Sequence, residues 1–259
     1  MGELVFVGLG LHDEKGVTLR GLEEARAADD VFAEFYTSAL LGTRLPALES
    51  LVGKPIRRLS REQVEKATEI LDAAQNRRVA FLVAGDPMVA TTHVDLRLRA
   101  AAMGIPTRIV HGVSIQSAAA GALGLQAYKF GRTTTVPLPS PGFHPTSPLD
   151  PIRENRRAGL HTLVLLDLRE DGMFLDPKEA IASLLDMAKA VSAPEFGPDT
   201  LVCVLSRVGS PDLRIVSGRA ADVKARELGP PLHCIVVPGS LHFLEKDALV
   251  AFGGAPHDL

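Results

Sequence analysis

The sequence predicts a two-domain α/β fold, and three observations lead there. Short apolar runs alternate with helical patterns along nearly all 259 residues, which implies right-handed crossovers and a mainly parallel N-terminal sheet. The composition is 46% hydrophobic but only 5% aromatic, with no Trp, so Val, Leu, Ile and Ala must build the core. The stretch PLPSPGFHPTSPLDP at residues 137–151 breaks the alternation. Proline lacks an N–H and fixes φ, so this stretch reads as a long loop. The economical layout is an N-terminal α/β domain over residues 1–112 and a C-terminal α/β domain with a mixed sheet over residues 113–259.

The elements follow in order. Leu4–Val7 reads as a strand closing on Gly8-Leu9-Gly10, and Leu19–Ala28 as a helix capped by Thr18. Val31–Phe35 is a second strand, and Ala47–Val52 a short helix ended by Gly53. Ile56–Leu59 is a third strand. Ser60 and Gln63 form a capping box for one helix running to about Asn76. Val79–Val83 is the fourth strand; Asp95–Met103 is a helix stopped by Gly104 and Pro106, and Arg108–Val110 is the fifth strand. Beyond the proline-rich loop come strand Thr162–Leu168 and a helix opened by Asp176-Pro177, with Glu179 at the capping-box position. Strands Leu201–Leu205, Arg214–Ser217 and Cys234–Val237 follow, then a last helix starting near Ser240.

Charge and motif content exclude several function classes. The net charge is −3, with 28 basic and 31 acidic residues well mixed, which argues against a face built for nucleic acid. Cys203 and Cys234 each sit inside an apolar run and read as buried strand residues rather than a redox pair. That usage suits a reducing cytoplasm. No run approaches the ~20 apolar residues of a membrane span, and the N-terminus lacks a signal-peptide pattern. The expectation is a soluble, cytoplasmic protein without nucleic-acid or membrane partners. The histidines are scattered, with neither HxH nor HExxH spacing, so no metal site is expected. GxSxG and GxxxxGK[ST] are also absent.

Ligands of open parallel sheets collect at the carboxyl ends of the strands, so the loops there matter most. GLGLHD (8–13) is not a GxGxxG fingerprint, because Asp13 stands where the third glycine belongs. AGDPMVATTH (84–93) is more specific. Asp86 precedes Pro87, which holds its backbone extended. Its carboxylate suits ribose hydroxyls or a nearby positive charge, unless it only caps the following helix. His93 reads as a first-turn helix residue facing solvent or the loop. HGVSIQS (111–117) leads into an Ala-rich helix, where Ser114 offers either a cap or a ligand oxygen.

Together these strings resemble the diphthine synthases, a branch of the tetrapyrrole-methylase-like (class III) methyltransferases. The resemblance is carried by VGLGLHDEKGVTLRGLEEARAADDVFAEFYTS (7–38), LSREQVE (59–65), GDPMVATTH (85–93), HGVSIQSA (111–118), YKFGRTTTV (128–136), GLHTLVLLDL (159–168) and PPLHCIVVPGSLH (230–242). The opening turn lacks the GPGDP found widely in the superfamily, which points to the diphthine branch. The resemblance implies two α/β domains with a cleft between them, S-adenosylmethionine as methyl donor (S-adenosylhomocysteine as product), and a homodimer. It implies translation elongation factor 2 as the substrate, trimethylated on the amino group of a 3-amino-3-carboxypropyl-histidine to give diphthine. Cofactor positions carried over are Leu11, Asp86, Val89, Ser114, Ile115, Leu166, Val208 and His233. The alternatives are a corrin or porphyrin methyltransferase of the same fold and a non-enzymatic binding module.

Methyl transfer from a sulfonium needs no metal, and positioning alone supplies on the order of 7–11 kcal/mol. No single side chain is therefore expected to be essential as a base, Tyr36, His144 and His233 included. Acceptor recognition is expected from the loops around 35–38 and 142–147, with Arg132, Arg156 and Arg157 meeting carboxylates of the acceptor or its carrier.

Overall fold

Two-sided burial shapes the N-terminal strands. The computed structural model describes residues 2–140, 142, 145–169 and 171–257, and the chain divides into two compact units, Met1–Ile115 and Gln116–Leu259. In the first unit β1 (Glu3–Gly8), β2 (Asp30–Glu34), β3 (Arg57–Leu59), β4 (Arg78–Val83) and β5 (Thr107–Val110) form an all-parallel sheet ordered β3-β2-β4-β1-β5. Val5, Val7, Ala80 and Leu82 face α1 (Leu19–Ala27) and α2 (Leu45–Val52). Leu4, Phe6, Val79 and Phe81 face α3 (Arg61–Lys66), α4 (Thr68–Asn76) and α5 (His93–Ala102). Both faces are covered, so the strands read as continuous apolar runs. From β1 the chain crosses toward β2, and from β4 it crosses the opposite way to β5. The carboxyl ends of β1 and β4 are thus the switch point.

Caps behave as expected at Thr18, whose hydroxyl accepts from Gly21 N at 3.0 Å, and at the Ser60–Gln63 capping box. The single helix expected from Ser60 to Asn76 is instead two. Ala67, at φ +58°, ends α3 and opens α4, and the bend lets Val64, Ile70, Leu71 and Ala74 reach one core. Ala67 is fully buried, so only a small side chain fits there. At the amino ends of the strands Arg108 and Arg78 converge on Glu24, and Arg108 also pairs with Glu3. The Arg108 hydrogen bond is the largest influence holding the Glu24 carboxyl below its usual range.

The second unit has a mixed sheet. β6 (Thr134–Val136), β7 (Thr162–Leu166), β8 (Leu201–Ser206), β9 (Arg214–Arg219) and β10 (His233–Val237) lie in the order β6-β7-β10-β8-β9. β6 and β7 are parallel and the other pairs antiparallel. One face packs on α7 (Leu149–Arg157), α8 (Pro177–Ala190) and α9 (Ala220–Val223); α6 (Ile115–Leu123) and α10 (Phe243–Gly253) complete the helices. The expected loop at 137–151 ends earlier than foreseen. Leu149, Asp150 and Pro151 form the first turn of α7, where the missing proline N–H breaks no helical hydrogen bond. Residues 141, 143 and 144 of that stretch, His144 included, lie outside the described residues. β6 and α9 were not foreseen. Cys203 and Cys234 are free and buried, and burial pushes both thiols up to about 12. Among the described residues no helix is long and apolar enough to cross a membrane.

Candidate cofactor site

Glycines decide how closely three strand ends of the first unit approach. A Cβ on Gly8 would lie 2.5 Å from Gly112 N and 2.7 Å from Gly85 O; one on Gly112 would lie 2.3 Å from Gly85 O. Beyond β1, Gly10 N donates to Gly85 O (3.1 Å) and Gly85 N to Gly10 O (2.8 Å). No side chain separates the chains following β1, β4 and β5. As a result Asp86 (after β4) and His111 (after β5) meet across the end of β1. His111 Nδ1 donates to Asp86 Oδ2 at 2.7 Å, and Met88 N donates to Asp86 Oδ1 at 2.9 Å. The Asp86 side chain is 7% exposed and that of His111 70%. Asp86 does not cap α5, which begins at His93 with Thr92 as its N-cap; its carboxylate is used within the loop cluster.

The fold gathers Leu11, Asp86, Val89, Ser114 and Ile115 into the loops at the carboxyl end of the parallel sheet. Leu11 follows the β1 turn, Val89 N closes a turn on Asp86 O (3.3 Å), and Ile115 opens α6. In the second unit Leu166 ends β7, Val208 follows β8 and His233 starts β10. β10 runs antiparallel to both neighbours, with His233 opposite Ser206 and Cys234 opposite Leu165. These three positions therefore share one end of that sheet.

His93 corrects its expected exposure. Its side chain is 1% exposed and packs on Phe81 and Phe6, with ring centroids at 5.1 and 6.4 Å. Its Nδ1–H donates to Pro87 O at 3.0 Å, pinning the turn that carries Asp86. The cause is helical spacing: His93, Leu96 and Ala100 share the buried face of α5. Nε2 faces Glu34 Oε1 at 4.0 Å without a hydrogen bond. Glu34, fully buried at the end of β2, accepts from Tyr36 N (2.9 Å), Thr37 N (3.1 Å) and the Thr37 hydroxyl. It organises the 35–38 loop, and the sequence reading missed it.

Each of the arginines expected at the acceptor has a partner within the second unit. Arg132 pairs with Glu154 (2.5 Å) and Arg157 with Glu195 (2.5 Å). Arg156 donates to Pro238 O at 3.2 Å, just past the carboxyl end of β10 and so opposite the end shared by Leu166, Val208 and His233. A second unforeseen node centres on Glu245 of α10, which is fully buried. Its carboxylate accepts from Gln126 N (3.0 Å), His242 N (2.9 Å), His161 Nε2 (3.0 Å) and Lys129 Nζ. His161 Nδ1 in turn accepts from Gly239 N at 3.0 Å, which fixes the tautomer.

Burial is the first cause lowering the His93, His161 and His233 pKa values from 6.5. The folded state resists protons that the unfolded chain takes up near 6.5. Their contribution is complete above that pH and declines below it, by up to about 1.4 kcal/mol per pH unit for each. The urea midpoint is expected to fall between pH 7 and 5. A midpoint constant over that range would show that these rings do not differ from free histidine.

The family model for tetrapyrrole (corrin/porphyrin) methylases matches residues 3–224. Diphthine synthase of Methanosarcina mazei is 46% identical over 262 aligned positions, covering 99% of this chain and 98% of the relative. That of Halorubrum lacusprofundi is likewise 46% identical at the same coverage. A crystal structure of diphthine synthase superimposes with a TM-score of 0.90 at 36% identity, covering 99% of this chain and 98% of that one. The glycine-crossed parallel sheet, the mixed second sheet and these near-full-length similarities place the chain in the tetrapyrrole methylase family and, within it, among the diphthine synthases, the methyltransferases of diphthamide biosynthesis.

Proposed function

We propose that the chain transfers methyl groups from S-adenosylmethionine to the amino group of a 3-amino-3-carboxypropyl-histidine on translation elongation factor 2, three times, to give diphthine. It works as a cytoplasmic homodimer. The observation that carries this reading is the near-full-length similarity to diphthine synthases. The corrin or porphyrin alternative rests on the family description alone.

The residues present suit the cofactor. A flat nucleoside needs backbone free of side chains, and Gly85, where Gly8 and Gly112 pack backbone on backbone beside it, has open space where a Cβ would stand. Leu11, Asp86, Val89, Ser114 and Ile115 would hold it at the carboxyl end of the parallel sheet; Leu166, Val208 and His233 are the further cofactor positions that the resemblance implies. When bound, S-adenosylmethionine supplies an electrophilic methyl group on a sulfonium that needs no further activation. The chain's own part is positioning. Pro87 and the His93 hydrogen bond fix the Asp86 turn, and Glu34 fixes the neighbouring 35–38 loop.

Incubation with methyl-labelled cofactor and unmodified or intermediate-bearing elongation factor 2 tests the reading. Label is expected on the intermediate-bearing protein alone, with mass increments of up to three methyl groups. Label on a corrin or porphyrin instead, or cofactor binding with no transfer to any acceptor, would overturn it.

A further inference from the structure

We propose that His111, oriented by Asp86, is the proton acceptor for the amine that receives the methyl group; the inference rests on the methyl-transfer reading above. Two features of the pair point there. First, the His111 Nδ1–H is engaged by the Asp86 carboxylate at 2.7 Å, so the neutral ring carries its lone pair on Nε2. Second, the burial is polarised: the orienting carboxylate is 7% exposed and the imidazole 70%, and no described residue hydrogen-bonds Nε2. A buried carboxylate holding an outward imidazole in one tautomer is the base–orienter relation used by many enzymes.

The other histidines near strand ends are otherwise committed. His93 is buried and spends Nδ1 on Pro87 O. His161 is buried with both nitrogens bonded. His233 spends Nε2 on Gly229 O at 3.0 Å. His12 lies ring-first against Gly42. His111 alone of these joins a carboxylate orienter to an outward nitrogen in the loops that carry the candidate cofactor positions.

The acceptor's chemistry calls for such a group. α-Amino groups titrate at about 7.7–8.0 in model peptides, and a carboxylate on the same carbon favours the ammonium further. At neutral pH the amine is mostly protonated and cannot attack. In the step assigned to His111, an ammonium N–H bond breaks and its electron pair stays on the amine nitrogen. Nε2 binds the proton, and Asp86 balances the imidazolium charge. The exposed ring then releases the proton to water and is ready again. A nitrogen that gains three methyl groups sheds three protons from its ammonium form, so the acceptor is used before every transfer. The proposal departs from the expectation that no single side chain is essential as a base.

The test uses the full chain with intermediate-bearing elongation factor 2. In His111→Gln the single-turnover rate at pH 7 is expected to fall about 10²–10⁴-fold, with cofactor affinity by calorimetry within threefold of wild type. The deficit should shrink toward pH 9–10, where the amine loses its proton unaided. Added imidazole should restore part of the rate in His111→Ala. Nitrogen-15 NMR of the unliganded protein should show the Nδ1–H tautomer at His111 and its loss in Asp86→Asn. Near-normal rates and an unchanged pH profile in His111→Gln would overturn the proposal while leaving the methyltransferase reading intact. So would an Nε2–H tautomer in the wild type, or a rate loss that neither high pH nor imidazole repairs, which would leave the pair a positioning role only. A wild type with no transfer would overturn both.

Discussion

Substituting alanine at Gly112 is expected to slow methyl transfer on the order of 10²-fold while leaving the chain folded. The new methyl would stand 2.3 Å from Gly85 O and 2.9 Å from the backbone of Gly8. Neither is the end of a flexible side chain that can swing away, so the strand ends themselves must separate. That separation acts on the 2.7 Å contact between Asp86 and His111 and on the turn carrying Leu11. Displacing reacting groups by about 1 Å costs roughly 10²-fold, whereas overpacking costs about 1–3 kcal/mol of stability. In a domain of this size that lowers the melting temperature by about 2–4 °C per kcal/mol. The control is Gly121→Ala in α6, where a Cβ meets nothing within 4 Å. It should leave the rate unchanged and gain about 0.5–1 kcal/mol. Wild-type single-turnover rates and cofactor affinity in Gly112→Ala would show that the crossing does not set the site.

Much of the first unit was legible because parallel strands buried on both faces leave uninterrupted apolar runs such as Val79–Val83. Short strands gave a weaker signal: Thr134–Val136 is too brief for any periodicity. The break at Ala67 was invisible, since alanine favours helix and its left-handed backbone is imposed by the packing of α3 and α4. Prolines hid α7, because a proline in the first turn of a helix and a proline in a loop look alike without the tertiary context.

The site was legible as strings but not as contacts. GDPMVATTH and HGVSIQS marked the loops after β4 and β5, yet their meeting depends on β1 lying between those strands and ending in a glycine. Strand order is not written in local sequence. His93 was different: its spacing to Leu96 and Ala100 already placed it on the apolar face. Glu34 and Glu245 gave no sign, because a carboxylate inside a mostly apolar stretch reads as an exposed position until its donors are known.

Replacing Glu245 by alanine is expected to cost about 3–5 kcal/mol, the usual penalty for removing one partner of a buried ion pair. This carboxylate is the common acceptor for Lys129, His161 and the amides of Gln126 and His242; its loss strands His161 and the two amides and leaves the Lys129 ammonium with only the Ser240 carbonyl. Burial by itself would raise the Glu245 pKa, but Lys129, the Gln126 and His242 amides and His161 together hold it at about 2. The carboxyl therefore stays ionised in the folded state well below its ordinary 4.5. Its contribution is complete above that value and fades as pH falls toward 2. At about 2–4 °C per kcal/mol, melting in Glu245→Ala should drop roughly 6–20 °C at pH 7, and the difference from wild type should narrow below pH 4.5. Glu245→Gln keeps one oxygen for the amides and should lose less. The double variant Lys129→Met with Glu245→Leu removes the ion pair but still strands His161 and the two amides, so it should recover only part of the loss. Full recovery in the double variant would assign the whole effect to the Lys129 charge rather than to the four-donor network. A Glu245→Ala protein melting within about 2 °C of wild type would show that the network carries no stability.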